Sequence, residues 1–132
     1  LHIFFVHNVL FRNGLLEKEI YEGVLKIMYD DFDSNLREIG VGDLSVGKKI
    51  YQMSEALAGR INAYNKSKNN DVLLDKTLNR NIYSTKKNID KKIRSNILMY
   101  FKENLKNVNA KKLLDIKENS DIFVDLRTII KK

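Results

Sequence analysis

Cysteine and proline are both missing from this chain of 132 residues. Without cysteine, the chain can form neither a disulfide nor a thiolate metal site. Without proline, nothing in the sequence removes a backbone donor from the interior of a long helix. A chain of this length still buries about two-thirds of the surface that its unfolded form exposes. The sequence therefore predicts a single domain over residues 1–132 that needs no covalent staple.

Long apolar runs are scarce as well. The opening run from Ile3 to Phe11 is apolar but short, whereas a membrane-spanning helix needs about 20 apolar residues. We therefore expect this run to be part of a buried helix. The first residue is Leu1 rather than Met, so we expect that the chain begins inside a longer product and that any signal peptide lies upstream.

Positive charge is distributed unevenly. The net charge is +7, yet residues 1–66 contain 8 Lys and Arg against 9 Asp and Glu, and residues 67–132 contain 16 against 8. The excess in the second half favours attraction to phosphate, either in anionic lipid headgroups or in RNA. The alternative is a solvated face without a partner. The exposed lysines that would form this surface are Lys86, Lys87, Lys91, Lys92, Lys102 and Lys106.

Apolar residues recur at steps of three and four along most of the chain, which predicts an all-α fold. We expect a compact bundle of about six helices, built on a central antiparallel hairpin. The predicted core positions outside the second hairpin helix are Tyr21, Leu25, Met28, Phe32, Leu36, Ile39, Leu74, Leu78, Ile82, Ile89, Ile93, Ile97, Phe101 and Leu105. Gly14 is expected to end the first helix, Asp71 to cap the fourth, and Asn109 to cap a short sixth with Leu113, Leu114 and Ile116. Residues 65–70 are expected to be a polar loop, and the tail, residues 117–132, is left open between helix and strand.

The central hairpin is predicted from Asp33 to Tyr64. Gly40 ends its first helix, because glycine adopts the left-handed conformation of a helix C-cap without steric cost. Ser45 is the expected N-cap of its second helix. Asp33 and Arg37, four residues apart, form a helix-surface ion pair worth about 0.2–0.5 kcal/mol. The short connection forces the two helices to run antiparallel and in contact.

The second helix of the hairpin has two faces. Its core stripe comprises Val46, Ile50, Met53, Leu57, Ile61 and Tyr64. A second face is formed by small or short residues, namely Gln52, Ala56, Gly59 and Ala63. This small-residue face leaves a shallow groove for a closely packed helix. Either a helix of this protein fills the groove, or a partner does.

Two stretches imitate ligand-binding motifs. From Gly42 onward the sequence follows the phosphate-binding pattern G-x-x-x-x-G-K, but Lys49 replaces the Ser or Thr that would bind Mg²⁺, and a helix rather than a strand precedes it. From Asp31 onward the sequence imitates a calcium loop, but Leu36 and Gly42 replace its glycine and its bidentate glutamate. The sequence therefore predicts neither nucleotide hydrolysis nor calcium binding.

Histidine is nearly absent. His2 and His7 are five residues apart, so they lie on different helix faces and are poor joint metal ligands. No Ser, His and Asp set has a recognisable catalytic arrangement. We therefore predict no catalytic residue, no metal site, no cofactor and no enzymatic activity.

One stretch resembles a known family. It runs from Leu36 to Lys48 (LREIGVGDLSVGK) and continues with Met53, Gly59-Arg60 and Ala63-Tyr64. The spacing of His2 ahead of Asp31 and the block Leu78 to Tyr83 (LNRNIY) extend the likeness. Together these residues resemble the signature of the ubiquinol–cytochrome c chaperone family, most strongly over residues 31–64.

The resemblance implies an all-helical, non-catalytic assembly factor that binds newly made cytochrome b during biogenesis of ubiquinol–cytochrome c reductase. The partner-binding residues that it and the small-residue face suggest are Arg37, Glu38, Gly40, Gly42, Asp43, Lys48, Gln52, Ala56, Gly59, Arg60 and Ala63. Further partners expected on this basis are a second assembly factor, the ribosome and an anionic membrane, but not DNA.

The sequence leaves an alternative open for both the function and the location. The alternative function is a basic helical module that binds RNA or the ribosome. The expected location is the cytoplasmic side of a bacterial inner membrane, with the matrix side of the mitochondrial inner membrane as the alternative.

Overall fold

The computed structural model describes residues 1–11, 15–84, 86, 88–110 and 122–130. Every regular element in these ranges is helical, which confirms the all-α class. The elements in chain order are α1 (His2–Leu10), α2 (Leu15–Glu38), α3 (Asp43–Ser67), α4 (Asp71–Leu78), a π-helical turn (Asn79–Tyr83), α5 (Lys91–Ala110) and α6 (Leu126–Ile130).

The core is an aromatic cluster formed where α1, α3 and α5 meet. Phe4 stacks on Phe101 with ring centroids 5.4 Å apart, and Tyr64 lies 5.3 Å from Phe4. Phe5 and Phe101 are completely buried. Aromatic pairs at such distances add about 0.5–1.5 kcal/mol beyond the burial of their area. The opening apolar run is thus a buried helix, as its length predicted.

A buried asparagine attaches the C-terminal segment to this core. Asn104 on α5 is fully buried, donates from Nδ2 to the Tyr100 carbonyl at 2.8 Å and accepts from the Val124 backbone N–H at 2.9 Å. Asn107 adds a bond from Nδ2 to the Ile122 carbonyl at 2.8 Å. These bonds satisfy polar groups that would otherwise be costly to bury.

The α2–α3 pair forms an arm, defined here as residues 22–63. Val46 is the only buried residue in this range. Among the described side chains, the core cluster takes none from α2 and reaches α3 only at Ile61 and Tyr64. Tyr21, just before the arm, packs on α1 with its ring 5.2 Å from that of His7. A helix of 25 residues is about 37 Å long, so much of the arm extends past the core.

Three of the predicted core positions in the arm are exposed. Ile39 is 77 % exposed because α2 ends at Glu38, so the helical spacing no longer directs its side chain inward. Phe32 and Met53 are 37 % and 39 % exposed, because at their level the arm is only two helices thick.

The predicted N-caps of α3 and α4 were wrong by three residues and by one residue. Gly42, not Ser45, is the N-cap of α3, with an extended backbone at φ −64° and ψ 146°. Asn70, not Asp71, caps α4, and its side chain accepts from the Leu73 N–H at 3.0 Å. Asp71 instead binds Lys102 on α5 at 2.8 Å.

The predicted polar loop after Tyr64 was too long. Helix α3 continues to Ser67, which is completely buried and donates from its hydroxyl to the Tyr64 carbonyl at 3.4 Å. Lys68 then bonds Asn65 at 3.1 Å and Asn8 of α1 at 3.3 Å. Polar side chains at the end of α3 thus bond to α1. A run of polar residues is ordinarily read as a loop, so the sequence pattern did not predict this contact.

Two further core expectations failed after Leu78. Ile82 is 39 % exposed, because the π turn changes the number of residues per turn and rotates it away from the line of Leu74 and Leu78. Ile93 is 50 % exposed in the first turn of α5, before that helix reaches the core cluster. Asn109 lies inside α5, and the short sixth helix that it was predicted to cap lies outside the described residues. The expected break at Gly14 and the expected sixth-helix residues Leu113, Leu114 and Ile116 lie outside the described residues. Residues 117–121 and 131–132 of the tail lie outside them as well.

Candidate partner-binding surface

The turn between α2 and α3 has a defined geometry. Gly40 adopts φ +88°, which confirms the left-handed conformation predicted for it. Its N–H donates to the Arg37 carbonyl at 3.0 Å, and the Val41 N–H donates to the Leu36 carbonyl at 2.9 Å. These two bonds form a Schellman motif, which satisfies carbonyls that a helix end leaves open. The turn is therefore short and closed by its own backbone.

Arg37 connects the two helices across this turn. Its Nε donates to Asp33 Oδ1 at 2.5 Å, which confirms the predicted pair, and its Nη1 donates to Asp43 at the start of α3. Hydrogen bonding to Asp33 is the main reason that the pKa of Arg37 is raised above its ordinary value. Asp43 is largely exposed and Arg37 and Asp33 are partly exposed, so solvent screens both ion pairs. The arrangement fixes the shape of the turn more than it adds stability.

The stretch that imitates a phosphate-binding loop is helical. Gly47 and Lys48 lie inside α3, which begins at Asp43 and follows another helix. Their backbone N–H groups are therefore part of a helix rather than of a loop that could surround a phosphate. Lys48 is exposed.

The small-residue face on α3 is open to solvent. Gln52, Ala56 and Gly59 are exposed, and Ala63 is half-buried. A Cβ built on Gly59 would meet no atom within 4 Å. No helix of the described part of the chain therefore occupies this face. Met53, at one turn from Ala56, extends the face with an exposed thioether.

A groove between α2 and α3 was not anticipated. It has a volume of about 370 Å³ and is lined by Tyr29, Asp30, Asp33, Ser34, Gly47 and Ile50. Gly47 contributes by leaving open space where a side chain would stand. Asp30 and Asp33 are already paired, with Lys26 and Arg37, so their charge is largely compensated. The sequence did indicate this groove, because a glycine inside a helix lowers helix stability and therefore suggests that a small residue is needed there.

The predicted partner-binding residues fall into two groups. Those near the turn are Arg37, Glu38, Gly40, Gly42, Asp43 and Lys48, and those along α3 are Gln52, Ala56, Gly59, Arg60 and Ala63. Both groups belong to the arm, and every member except Ala63 is exposed. Arg60 lies near the buried Tyr64, where burial raises the pKa of the phenol and the arginine charge opposes that rise.

The basic surface is centred on α5. Lys91, Lys92, Lys102 and Lys106 are exposed, and their spacing places them within about 100° of one another around the helix. Lys102 is paired with Asp71, which leaves three lysines of this face in no ion pair among the described residues. Lys86 is also exposed, whereas the predicted Lys87 lies outside the described residues.

The two histidines serve packing. His2 Nε2 lies 2.9 Å from the Tyr100 hydroxyl, and its ring contacts that of Phe123 at 4.6 Å. His7 stacks on Phe11 at 4.8 Å. Burial lowers the pKa of both imidazoles. Among the described residues, no three His, Asp or Glu side chains come together in a way that could hold a metal ion.

The described elements form an all-helical protein with an exposed arm. No helix in the described ranges has both the length and the apolar character to cross a bilayer. The sequence matches the family model described as ubiquinol–cytochrome C chaperone over residues 1–114, and the chain therefore belongs to the ubiquinol–cytochrome c chaperone family. Membership makes it an assembly chaperone for ubiquinol–cytochrome c reductase and implies a non-enzymatic role. Comparison with curated protein sequences and with solved structures finds no match.

Proposed function

We propose that this chaperone binds newly made cytochrome b during biogenesis of ubiquinol–cytochrome c reductase and that the arm is its client-binding surface. Family membership is the observation that carries this proposal, because it supplies the assembly role. The open small-residue face on α3 supports the choice of surface.

The chemistry of this face suits a membrane helix. Helices of membrane bundles pack through small residues that let two backbones approach closely. Gly59 and Ala56 offer such an approach, and Met53 beside them adapts its shape to an irregular partner. Glycine inside a helix costs about 1 kcal/mol relative to alanine, so Gly59 carries a folding penalty that client binding would explain.

The turn complements this face with polar groups. Arg37 holds Asp33 and Asp43 in fixed positions, while Glu38 and Lys48 are exposed and form no ion pair among the described residues. In this proposal these two side chains contact polar loops of the client, and the small-residue face contacts one of its helices.

Substitution of Gly59 tests the surface. Gly59→Leu fills the open face while adding a strong helix former, so its melting temperature should equal or exceed that of the parent. Capture of newly made cytochrome b, measured by crosslinking and co-purification, should be lost. A Gly59→Leu protein that melts normally and captures the client at full yield would exclude this face.

Gly23 on α2 offers a matched control. It also lies inside an arm helix, is exposed, and has no atom within 4 Å of a built Cβ. Gly23→Leu should therefore change helix stability in the same direction as Gly59→Leu and leave client capture unchanged. Loss of capture in both variants would point to a general disturbance of the arm rather than to the small-residue face.

We further propose that the lysines of α5 hold the domain against an anionic membrane, on the cytoplasmic side of a bacterial inner membrane or on the matrix side of the mitochondrial one. Their exposure on one face supports this, at about 1 kcal/mol per basic residue near such a surface. A second assembly factor and the ribosome are proposed as further partners. The second candidate for the lysine face is RNA, since the same charges attract a phosphate backbone.

Vesicle binding separates these two uses of the lysines. Binding to anionic vesicles should weaken with added salt and with Lys91→Ala, Lys92→Ala and Lys106→Ala combined, whereas neutral vesicles should bind little. Equal binding to neutral and anionic vesicles would exclude the membrane role of this face. Salt-sensitive binding to RNA without vesicle binding would favour the second candidate.

A further inference from the structure

A cluster of three rings joins the base of the arm to α1. His7 stacks on Phe11 with ring centroids 4.8 Å apart, and the Tyr21 ring meets His7 edge-on at 5.2 Å. Phe11 and Tyr21 also contact each other, at 6.1 Å. His7 and Phe11 lie at the C-terminal end of α1, whereas Tyr21 lies in the second turn of α2, one residue before the arm. We call these three residues the joint.

The joint attaches α2 to the rest of the protein. Among the described side chains of α2, Tyr21 alone is buried. Helix α2 packs against α1 and α3, and none of its described side chains enters the core cluster. Helix α3, in contrast, enters that cluster through Ile61 and Tyr64. Separation of the joint would therefore free the base of α2 and leave α3 anchored in the core.

His7 contributes a buried nitrogen without a partner to the joint. Its Nδ1 atom is buried and has no hydrogen-bond partner among the described residues. A neutral imidazole accommodates this, because one of its two ring nitrogens carries no proton. An imidazolium donates from both nitrogens, so protonation would place a charged N–H where no described group accepts it. A buried charged donor without an acceptor is costly, which favours a conformation in which water reaches the ring.

The charges around His7 also oppose its protonation. Burial, and after it the positive charge of Lys68 at the end of α3, lowers the pKa of the imidazole below 6.5. From α2, the Tyr21 phenol faces the ring, and it is neutral because burial raises its pKa above 10.0. From α5, the Tyr100 phenol faces His2 rather than His7. In the described part of the chain, no acid forms an ion pair with His7 that would compensate the added charge.

We propose that protonation of His7 opens the joint, so that mild acid releases the base of α2 from α1 while the core cluster stays intact. Phe11 gives the ring access to water, because it covers one face of His7 and is itself 51 % exposed. Opening takes up a proton, so the joint is fully stabilised above pH 6.5 and loses stability as the pH falls through the lower pKa of the closed form. This device does not depend on which client the arm binds.

Native-state hydrogen exchange tests the joint at its own residues. Between about pH 7.5 and pH 5, the opening constant of amides in residues 18–24, corrected for the intrinsic effect of pH on exchange, should rise about fivefold or more. This opening should be nearly independent of low urea concentrations, because it exposes little surface. Amides of residues 101–108 in α5 should exchange through a urea-dependent opening instead, because they are released only by unfolding of the core.

Two variants assign the rise to one histidine. His7→Phe keeps three rings in the joint and removes the titrating group, so the rise should disappear. His2→Phe is the matched control, because it removes the other histidine, which lies outside the joint and whose pKa burial also lowers. There the rise should remain. A rise that persists in His7→Phe, a rise lost in His2→Phe, no rise in the parent, or exchange of residues 18–24 only through the urea-dependent opening would overturn the proposal.

Discussion

His7 is a single residue whose lowered pKa should make the stability of the fold depend on pH. Its ring lies between Phe11 and Tyr21, and burial, assisted by the charge of Lys68, lowers its pKa below the ordinary value of 6.5. Below that pH the unfolded chain binds a proton at this site more readily than the folded protein does. Stability from this site is therefore fully present above pH 6.5 and decreases as the pH falls through the folded pKa.

His7→Phe should accordingly flatten the pH dependence of stability. We expect urea titrations between about pH 7 and pH 5 to show a smaller loss of unfolding free energy in the variant than in the parent. His2, whose pKa is also lowered by burial, contributes separately, so His2→Phe is the companion variant. Asp125 does not contribute to the change in stability over this pH range, because its pKa is lowered below the ordinary value of 3.8. An unchanged slope in His7→Phe would refute this explanation.

Two glycines of the arm should respond in opposite directions to alanine. Gly40→Ala places a Cβ on a residue with φ +88° and should destabilise by about 1–2 kcal/mol. Gly47→Ala lies in a helix with open space around it and should stabilise by up to about 1 kcal/mol. Chemical denaturation of both variants measures the difference. Equal effects at the two positions would contradict the assigned backbone conformations.

Individual residues were predictable where one local rule acts alone. Gly40 and the Asp33–Arg37 pair follow from spacing and backbone conformation, and both were confirmed. Ser45 failed as a cap because the Schellman turn and Arg37 together shift the start of α3 to Asp43. Asn104 could not be predicted, since its partner at Val124 lies twenty residues away and depends on the tertiary fold.

At the scale of elements, the arm should open more easily than the core. Between residues 22 and 63 only Val46 is buried, whereas α5 contributes the fully buried Phe101, Asn104 and Val108. Local opening free energy depends on such burial. Backbone amides of residues 29–36 should therefore exchange hydrogen about tenfold or more faster than those of residues 101–108.

Native-state hydrogen exchange, resolved by residue, measures this gradient. Equal protection from exchange in residues 29–36 and in residues 101–108 would contradict the expectation that the arm opens more easily than the core. Addition of a client peptide that fits the small-residue face should raise protection in α3 of the arm and leave α5 unchanged. If the peptide raises protection of α3 in Gly23→Leu but not in Gly59→Leu, the protection depends on the small-residue face.

The elements themselves were predictable because the apolar period of a helix persists over many residues. The long runs of α2, α3 and α5 were recognised in this way. Boundaries were less accurate, because polar residues such as Ser67 can continue a helix when tertiary hydrogen bonds receive them. The π turn at Asn79–Tyr83 changes the period locally, which explains the exposure of Ile82.

For the whole molecule, sequence and structure support different parts of the account. The family is carried by sequence, since the match covers residues 1–114, further than the motif around residues 31–64 suggests. The open state of the small-residue face required the structure, because the sequence alone left its occupant undecided. The positive excess of the second half was visible in composition, but its concentration on one side of α5 followed from helix geometry.

The central claim is that the small-residue face of α3 contacts cytochrome b. A photoreactive amino acid in place of Ala56, with Glu55 as the control position, tests it most directly, because these exposed neighbours point about 100° apart on the helix. After illumination in cells that are assembling ubiquinol–cytochrome c reductase, we expect an adduct with cytochrome b at position 56 and little at position 55. A folded chaperone that yields no cytochrome b adduct from position 56, or only adducts with RNA or ribosomal proteins, would contradict the account.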